Sequence, residues 1–238
     1  MNVSCVFRTV FIVLFSLVGF CAHVTLADIP DPESGTSDRY SSFRELLENE
    51  SKSAYRITVR TPSRCKTTVL AIHGGRIENG TSELARLIAK DDFNLYLFEG
   101  VDPARGNFRM HITSSHFDEP LAIQLVSDPA KTRQCVSIHG FKSEIKQICL
   151  GGLNRALKAE FVAQAKSADL KYEVVECSAL RGNEPANIVN RCAGSGIQLE
   201  LSSALRRDLL GDSGEMNRLA ETIRHSLTAP LTCVESDE

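Results

Sequence analysis

Two residue types that bind transition metals stand close together near the end of the first long apolar run. The run Thr67–Ile72 is rich in β-branched residues and ends at His73, and two glycines follow. Glycines permit a sharp turn, Glu78 comes just after it, and Thr81 is placed to cap a helix that begins at Ser82. A strand end, a turn and a helix start put both side chains at one rim of a sheet, where open α/β sheets build their sites. An imidazole and a carboxylate there are two of the three protein ligands of a two-histidine, one-carboxylate catalytic zinc centre.

Four other segments also end a predicted strand, or feed one, with polar residues and a turn. VSIHG places His139 beside a glycine at the end of a short apolar strand, and LYLFEG places Glu99 similarly. MHITSSHFDEP holds His111, His116 and two carboxylates, and NIVNRCAGSGIQLELS is a polar loop that leads into a strand carrying Glu200. These segments are the candidates for the rest of a site.

The hydrophobic periodicity predicts strands that alternate with helices. The predicted strands are Tyr55–Val59, Thr68–Ile72, Leu95–Phe98, Met110–Thr113, Ala122–Val126, Val136–Ile138, Lys146–Leu150, Tyr172–Cys177 and Gln198–Ser202. The predicted helices are Ser82–Lys90, Leu153–Lys166 and Ser213–Leu227. This order indicates a single α/β domain with a mixed central β-sheet flanked by helices. Close spacing of the strands between Met110 and Leu150 favours some antiparallel pairing there.

The N-terminal region is interpreted as a targeting segment followed by an arm. Residues 1–27 have one charge, Arg8, an apolar core and a small-residue cleavage site, as in a secretory signal peptide. The alternative is an uncleaved membrane anchor, but the apolar run is short for a span. Residues 28–42 are polar and are predicted to form a flexible or surface-bound arm. The folded domain is assigned to residues 43–238, and the protein is expected to be extracellular and free of the membrane after cleavage.

Charge and cysteine content narrow the functional classes. The formal net charge of −3 and the lack of a basic run make nucleic acid an unsuitable partner. An even number of cysteines after residue 27 suggests disulfides in a secreted chain, with every pairing left open. They are Cys65, Cys135, Cys149, Cys177, Cys192 and Cys233. Sequons occur at Asn49 and Asn79; the second lies in the site turn, where we do not expect glycosylation.

Five segments together carry a family resemblance. They are HGGRIENGTSELA, LYLFEG, MHITSSHFDEP, VSIHG and NRCAGSGIQLELSSALR, in that order, from residue 73 to residue 206. With them the chain resembles the poly-γ-glutamate hydrolase family, whose fold is similar to that of the zinc carboxypeptidases. The resemblance implies one zinc ion per chain, an anionic γ-glutamyl polymer or peptide as substrate, and hydrolysis of its amide bonds by zinc-activated water.

The resemblance also implies roles for particular residues. His73, Glu78 and His139 would hold the zinc, and Glu200 would be the general base that takes the proton of the attacking water. Glu200 could instead be an outward-facing residue of an alternating strand, and Glu78 a carboxylate favoured by a helix N-terminus. For His111 and His116 we favour surface positions, or a hydrogen bond to the outer nitrogen of a ligand.

The resemblance further implies that Arg191, with Asn190 beside it, would bind a substrate carboxylate. A planar guanidinium can hold a carboxylate through two parallel hydrogen bonds. The Asn-Arg pair follows the last histidine of the site here, whereas in zinc carboxypeptidases it precedes it. Cys192, next to Arg191, could lie in a disulfide that pins this loop.

Two other functions remain open from the sequence. One is a zinc carboxypeptidase or an N-acyl-amino-acid amidohydrolase using the same centre, which would release a terminal residue instead of cutting within a polymer. The other is a non-catalytic secreted binding module on the same scaffold, and retention of all three ligands and of Glu200 argues against it. The sequence leaves the oligomeric state open.

Overall fold

The computed structural model describes residues 38–62, 65–104 and 106–228. The predicted signal peptide, most of the predicted arm, Arg105 and Cys233 lie outside the described residues. The end of the segment assigned to the arm, residues 38–42, contacts the domain, because Ser42 caps the first helix and Asp38 reaches the site described below. Within the described ranges, no helix combines the length and the apolar character that crossing a bilayer requires.

A mixed seven-stranded sheet forms the centre of the domain, as the sequence predicts. Its strands are β1 (Tyr55–Arg60), β2 (Thr67–Gly75), β3 (Asn94–Gly100), β4 (Gln134–Phe141), β5 (Gln147–Gly151), β6 (Glu173–Val175) and β7 (Gly196–Ser202). They lie in the order β1-β3-β2-β4-β7-β5-β6. The four central strands β3, β2, β4 and β7 run parallel, so their carboxyl ends meet at one edge. The outer strands β1 and β5 pair antiparallel with β3 and β7, and β6 is parallel to β5.

Helices cover both faces of the sheet. They are α1 (Phe43–Asn49), α2 (Thr81–Ala89), α3 (Pro120–Ser127), α4 (Arg155–Ser167), α5 (Ser203–Gly211) and α6 (Ser213–Thr228). Alternate residues of β2 enter different cores: Val69 packs with side chains from α2, α4, α5 and α6, and Leu70 packs with side chains from α1 and α3. This alternation follows from the pleat of a strand that is buried on both sides.

Two predicted strands are wrong. Residues 122–126 belong to α3, which starts with Pro120 as an early helical residue and with Glu119 accepting a hydrogen bond from the Ala122 N–H. Residues 110–113 follow a short 3-10 helix, Asn107–Met110, and join no strand ladder of the described sheet. The antiparallel pairing expected between Met110 and Leu150 is therefore also wrong, since β5 pairs antiparallel with β7 instead.

Besides α3, two helices lie where no helix is predicted. The helix α1 is short, begins after the Ser42 cap and buries Phe43 and Leu46. The helix α5 follows β7 directly, with the Ser202 hydroxyl accepting from the Leu205 N–H. Because β7 passes into α5 with no loop, the helix cap at Ser202 also holds the carboxyl end of β7 in place.

Candidate metal centre and active-site cleft

The end of β2 is shaped by a β-bulge that directs His73 into the cleft. The pairing register between β2 and β3 shifts between Ala71 and Gly74, so that β2 carries one extra residue there. Bulges bend a strand and re-aim its side chains. Gly75 has a φ of 63°, and a Cβ at this position would lie 2.5 Å from the Gly100 carbonyl oxygen. The glycines expected to allow a sharp turn are therefore required both by backbone conformation and by close packing.

Three potential metal ligands converge at this edge of the sheet. His73 Nδ1 lies 3.0 Å from Glu78 Oε1 and 3.1 Å from His139 Nδ1, and Glu78 Oε2 lies 3.9 Å from His139 Nδ1. All three side chains are buried. The structure thus brings together the three residues that the sequence predicts as ligands, and it turns the Nδ1 atoms of both histidines toward the carboxylate.

The remaining polar atoms of these three residues are bonded to the protein. His73 Nε2 donates to the Ile112 carbonyl oxygen at 2.9 Å, and His139 Nε2 lies 2.7 Å from the Ser137 hydroxyl. The Gly140 N–H donates to Glu78 Oε2 at 2.7 Å. A carbonyl oxygen can only accept, so the proton of neutral His73 resides on Nε2 and its Nδ1 presents a lone pair. Outer hydrogen bonds of this kind fix the orientation and tautomer of metal-binding histidines.

Charge interactions within the cluster are strong. Burial lowers the pKa of His139 to about 3, and the positive charge of protonated His73 acts in the same direction. Burial also opposes protonation of His73, but the Glu78 carboxylate outweighs it and raises the pKa of His73 above its ordinary value. Burial opposes ionisation of Glu78, yet the neighbouring histidines lower its pKa to about 2. Two imidazole lone pairs and a carboxylate that face one another in this way favour a cation between them.

The donor set and its spacing fit zinc. One ligand atom from each residue lies within 4.8 Å of the others. Ligand atoms at bond lengths of about 2.0–2.1 Å around a tetrahedral ion are separated by roughly 3.3 Å, and the observed separations of 3.0, 3.1 and 3.9 Å bracket that value. Two imidazoles with one carboxylate leave a fourth position open, as in catalytic zinc sites.

A second histidine layer lies against the cluster. The His111 ring packs on the His73 ring with centroids 3.9 Å apart and an interplanar angle of 31°, and it stacks with the Phe108 ring at 5.1 Å. His111 Nδ1 lies 2.6 Å from an Asp38 carboxylate oxygen. Burial opposes ionisation of Asp38, but the hydrogen bonds with His111 and with the Thr113 N–H lower its pKa to about 2. His111 therefore packs on a ligand ring rather than bonding its outer nitrogen, which the Ile112 carbonyl does.

Glu200 lies beside the cluster on the neighbouring strand. In the parallel β4–β7 pair it is in register with His139. Its carboxylate accepts a hydrogen bond from Gln198 Nε2 at 2.8 Å, and both side chains line the cleft. The alternation expected for this strand is present, since Leu199 and Leu201 enter the opposite core. The face that carries Glu200 is the cleft face, so it is not a solvent-facing residue of a simple amphipathic strand.

A cleft of about 880 Å³ opens over these residues. Its far wall is the segment of residues 178–184, which we call the wall loop. Four carboxylates line the cleft: Asp38, Glu78, Glu184 and Glu200. Among the lining residues that the structure describes, Arg181 is the one arginine or lysine. The cleft is therefore not a basic groove of the kind that would attract a polyanionic substrate.

The two predicted substrate-binding residues lie away from the open cleft. Arg191 is not among its lining residues, and its Nε donates to the Ala186 carbonyl oxygen. Asn190 is buried, where its side-chain amide donates to the carbonyl oxygens of Gly182 and Glu184 at 2.7 and 2.9 Å. Asn190 thus fastens the wall loop instead of facing the cleft. Sequence reasoning missed Arg181, which lies in the same loop region and carries no motif of its own.

Other polar residues belong to ion pairs of the fold or lie on the surface. Glu99 lies between Arg56 Nε at 3.0 Å and Arg86 Nη2 at 2.8 Å, so it belongs to an ion-pair network. Arg109 binds both carboxylate oxygens of Glu50. His116 is exposed. These residues are not part of the ligand cluster.

The cysteines connect to the cleft differently from the expectation. Cys149 in β5 is bonded to Cys177, directly before the wall loop. Cys192 is wrong as a disulfide partner for the substrate loop: it is a free, buried thiol beside the equally free Cys135. Burial raises the pKa of the Cys135 thiol well above its ordinary value, and the Cys192 side chain adds to this. Both thiols belong to the core on the α1–α3 side of the sheet.

The fold and the site define a class: single-domain α/β proteins with a possible metal centre at the carboxyl edge of a mixed sheet. The chain belongs to the poly-γ-glutamate hydrolase family, whose sequence profile matches residues 40–228. The family is a hydrolase family, and the resemblance noted from the sequence is thus confirmed.

Individual relatives agree with this assignment. The SPbeta prophage-derived protein YoqZ of Bacillus subtilis (strain 168) is 40% identical over 191 residues, which are 77% of this chain and 68% of YoqZ. A solved bacteriophage poly-γ-glutamate hydrolase is 35% identical with a TM-score of 0.73, covering 80% of this chain and 97% of that one. A zinc-free apo structure of YndL is 34% identical with the same TM-score, covering 81% and 98%.

Proposed function

We propose that this chain is a secreted, zinc-dependent hydrolase that cleaves the γ-glutamyl amide bonds of poly-γ-glutamate. The observation that carries the proposal is the arrangement of three buried ligand atoms within 4.8 Å of one another, with Glu200 in register beside His139 in one cleft. Membership of the poly-γ-glutamate hydrolase family supplies the substrate class. The zinc-free description of the solved YndL structure is consistent with zinc as the metal.

Zinc would be held by His73, Glu78 and His139, with one ion per chain. Bound there, it supplies Lewis-acid activation of the attacking water and of the scissile carbonyl. The protein contributes the rigidity of the site, because the Ile112 carbonyl and the Ser137 hydroxyl hold the outer nitrogens of the two histidines. A site whose ligands are held in this way needs little rearrangement when the metal binds.

Glu200 is the general base in this proposal. It lies on the strand next to His139, and Gln198 holds one of its carboxylate oxygens. Its carboxylate accepts the proton of the attacking water and later returns it to the leaving amine, which prevents expulsion of an amide anion. The Gln198 hydrogen bond orients the carboxylate.

Secretion is supported by two separate features. Residues 1–27 have the composition of a signal peptide. The bonded pair Cys149–Cys177 is of a kind that persists in oxidising compartments. A polymer too large to enter a cell would also have to be cut outside it.

The proposal is tested by incubating the purified mature chain with poly-γ-glutamate and following polymer length by size-exclusion chromatography. The wild-type chain should shorten the polymer, and a zinc chelator should stop it. Glu200→Gln should lower the rate by about 100-fold or more, because a positioned base contributes roughly that much or more. Glu173→Gln, at an exposed glutamate of β6, is the matched control and should keep the wild-type rate.

The products separate the rival functions. Early appearance of mid-sized fragments indicates cleavage within the polymer, whereas slow loss of single glutamates from one end indicates a carboxypeptidase. A folded chain with one bound zinc that leaves the polymer and small N-acyl amino acids intact would contradict hydrolysis and favour a binding module.

A further inference from the structure

The charges of the cleft do not match those of a γ-linked glutamate polymer, which carries one free α-carboxylate per residue. Four carboxylates line the cleft, and Arg181 carries the one guanidinium among the described lining residues. The proposed zinc would offset the charge of Glu78, which leaves Asp38, Glu184 and Glu200 to repel a polyanion. Like charges repel strongly where water is partly excluded. A bound substrate therefore needs a local cation for any carboxylate that enters, and its other carboxylates must point to solvent.

Arg181 has a side chain that is available for this task. This side chain is exposed and lines the cleft, and within the described residues it makes no hydrogen bond or ion pair of its own. Two other arginines differ in this respect: Arg191 donates to the Ala186 carbonyl, and Arg109 is held by Glu50. A guanidinium without a protein partner can offer both of its parallel N–H pairs to a carboxylate.

The backbone of Arg181 is held firmly against the sheet. Its carbonyl oxygen accepts from the Gly152 N–H at 2.8 Å. A Cβ on Gly151 would lie 2.3 Å from that same oxygen, so the two chains touch where only glycine fits. The bond from Cys177 to Cys149 fixes the start of the wall loop to the same strand, β5. These contacts hold the backbone of Arg181 in place, although its side chain is exposed.

The same segment is tied to the general base. Gly182 packs against the Gln198 side-chain amide, since a Cβ on Gly182 would lie 3.0 Å from Gln198 Cδ. Gln198 in turn donates to Glu200 at 2.8 Å, and Asn190 Nδ2 holds the Gly182 carbonyl at 2.7 Å. Arg181 is thus the chain neighbour of Gly182, which packs against Gln198, the side chain that positions Glu200.

We infer that Arg181 is the anchor for a substrate carboxylate and determines specificity for a γ-glutamyl residue whose α-carboxylate is free. The inference rests on the proposed function and deepens it. Arg181 forms two parallel hydrogen bonds to one α-carboxylate, which places the adjoining γ-amide over the metal ligands and Glu200. One anchor selects one residue of the polymer, and the neighbouring residues extend out of the cleft.

The test measures binding separately from hydrolysis. In the Glu200→Gln chain, loaded with one zinc, the Kd of a γ-linked glutamate oligomer is measured by calorimetry at fixed ionic strength. Adding Arg181→Gln should raise the Kd by about 10- to 100-fold, as expected for loss of a charge-assisted pair. With Arg181→Lys the Kd should lie between the value with Arg181 and the value with Arg181→Gln, because an ammonium keeps the charge but cannot form two parallel hydrogen bonds. Arg155→Gln, at an exposed arginine of α4 away from the cleft, is the matched control and should change little.

A second ligand makes the result specific to the carboxylate. An oligomer of the same length whose α-carboxylates are amidated should bind more weakly, and Arg181→Gln should then have almost no further effect. An equal loss for both oligomers, or no loss for the free-acid oligomer, would overturn the inference. The same would follow if Arg191→Gln produced the large effect and Arg181→Gln did not.

Failure of the proposed function would look different. If the wild-type chain does not cut the polymer but Arg181 still controls carboxylate binding, the anchor stands and hydrolysis fails. If the wild-type chain cuts the polymer and Arg181→Gln changes neither Kd nor KM, hydrolysis stands and the anchor fails.

Discussion

At the scale of single residues, the candidate centre depends on which nitrogen of each histidine faces inward. His73 and His139 both present Nδ1 to the carboxylate of Glu78, and their Nε2 atoms bond to Ile112 and Ser137. The outer hydrogen bonds therefore decide which lone pairs are available to a metal. Ile112 and Ser137 would not contact a bound metal, but their hydrogen bonds to the two histidines should affect its affinity.

Ser137→Ala tests that influence. We expect zinc affinity to fall by about 10- to 100-fold, because the His139 ring loses the hydrogen bond that orients it. Competition with a chromophoric chelator measures the Kd. Ser226→Ala removes another fully buried hydroxyl, in α6 far from the ligands, and should leave the Kd unchanged. An unchanged Kd in Ser137→Ala would show that packing, or the Ser114 hydroxyl 3.5 Å from His139 Nε2, is enough to orient His139.

Glu99 gives a prediction about pH. Burial opposes its ionisation, but Arg56 and Arg86 outweigh this and hold the pKa of Glu99 below its ordinary value. A carboxylate with a lowered pKa in the folded state contributes stability that is present above the unfolded pKa of roughly 4.3 and is lost as pH falls through the folded pKa. Glu99→Gln should lower the free energy of unfolding by about 1–2 kcal/mol at pH 7, since both arginines are partly exposed.

The difference between wild type and Glu99→Gln should shrink as pH falls below about 4.3, because the unfolded carboxyl then takes up a proton, and it should vanish once the folded carboxyl is also neutral. Urea unfolding of both proteins at several pH values measures this difference in the free energy of unfolding. Glu48→Gln, at an exposed glutamate of α1, should have a small effect at every pH. A Glu99→Gln effect that stays constant from pH 7 down through the acidic range would show that shape, not charge, is responsible.

The sequence allowed us to predict site residues that stand at strand ends, but not contacts between residues that are distant in the chain. His73, Glu78 and His139 could be singled out because each follows an apolar run and sits beside a turn. Asp38 reaches His111 across more than seventy residues of chain, and no local pattern encodes such a contact.

The choice between two arginines shows the same limit. Arg191 sits in a family-like motif, yet its side chain turns to a local carbonyl, while Arg181 enters the cleft through the path of the wall loop. That path is set by contacts with β5 and β7 that appear only in the folded chain.

At the scale of elements, the end of β2 is the most constrained piece of the site. The bulge and the positive φ of Gly75 together aim His73. Gly75→Ala should lower the free energy of unfolding by about 2–4 kcal/mol, because a Cβ would meet the Gly100 carbonyl and the backbone conformation disfavours it. It should also weaken zinc binding.

Gly211→Ala is the control for Gly75→Ala. A Cβ on Gly211, at the end of α5, would have no heavy atom within 4 Å and should change stability by less than about 0.5 kcal/mol. Chemical denaturation and zinc titration of both variants make the comparison. Similar small effects in the two variants would mean that the β2 turn tolerates a side chain by shifting β3.

The wall loop depends on the Cys149–Cys177 bond, whose cysteines are 28 residues apart. Closing a loop of that length in the unfolded chain contributes about 3–4 kcal/mol to stability, so Cys177→Ser should lower the free energy of unfolding by roughly that amount. Cys192→Ala removes a free thiol and should cost less than half as much. Equal losses in the two variants, measured by denaturation of protein from a secretory host, would contradict the role of the bond.

The misassigned elements share a physical cause. Residues 122–126 are apolar enough for a strand, but Pro120 and the Glu119 cap start a helix there. Pro120 and Glu119 are a local signal for the start of a helix, but the strand prediction gave more weight to the hydrophobic run that follows them. Residues 110–113 also resemble a strand, but the Ile112 carbonyl bonds to His73 instead of to a neighbouring strand.

At the scale of the whole molecule, the sheet order explains why the site could be located before the fold was known. Parallel strands β2, β4 and β7 bring their carboxyl ends to one edge, and the candidate ligands and base stand at those ends. Alternating strands and helices predict such a sheet. They do not predict strand order or the antiparallel outer strands, because these depend on long-range pairing.

The zinc-dependent cleavage of poly-γ-glutamate is tested most directly by titrating the metal-free chain with zinc while polymer length is followed. We predict no shortening without metal, a rate that rises in proportion to added zinc and levels off at one ion per chain, and no recovery in His139→Ala. Full activity in the metal-free chain, or equal recovery in His139→Ala, would contradict it.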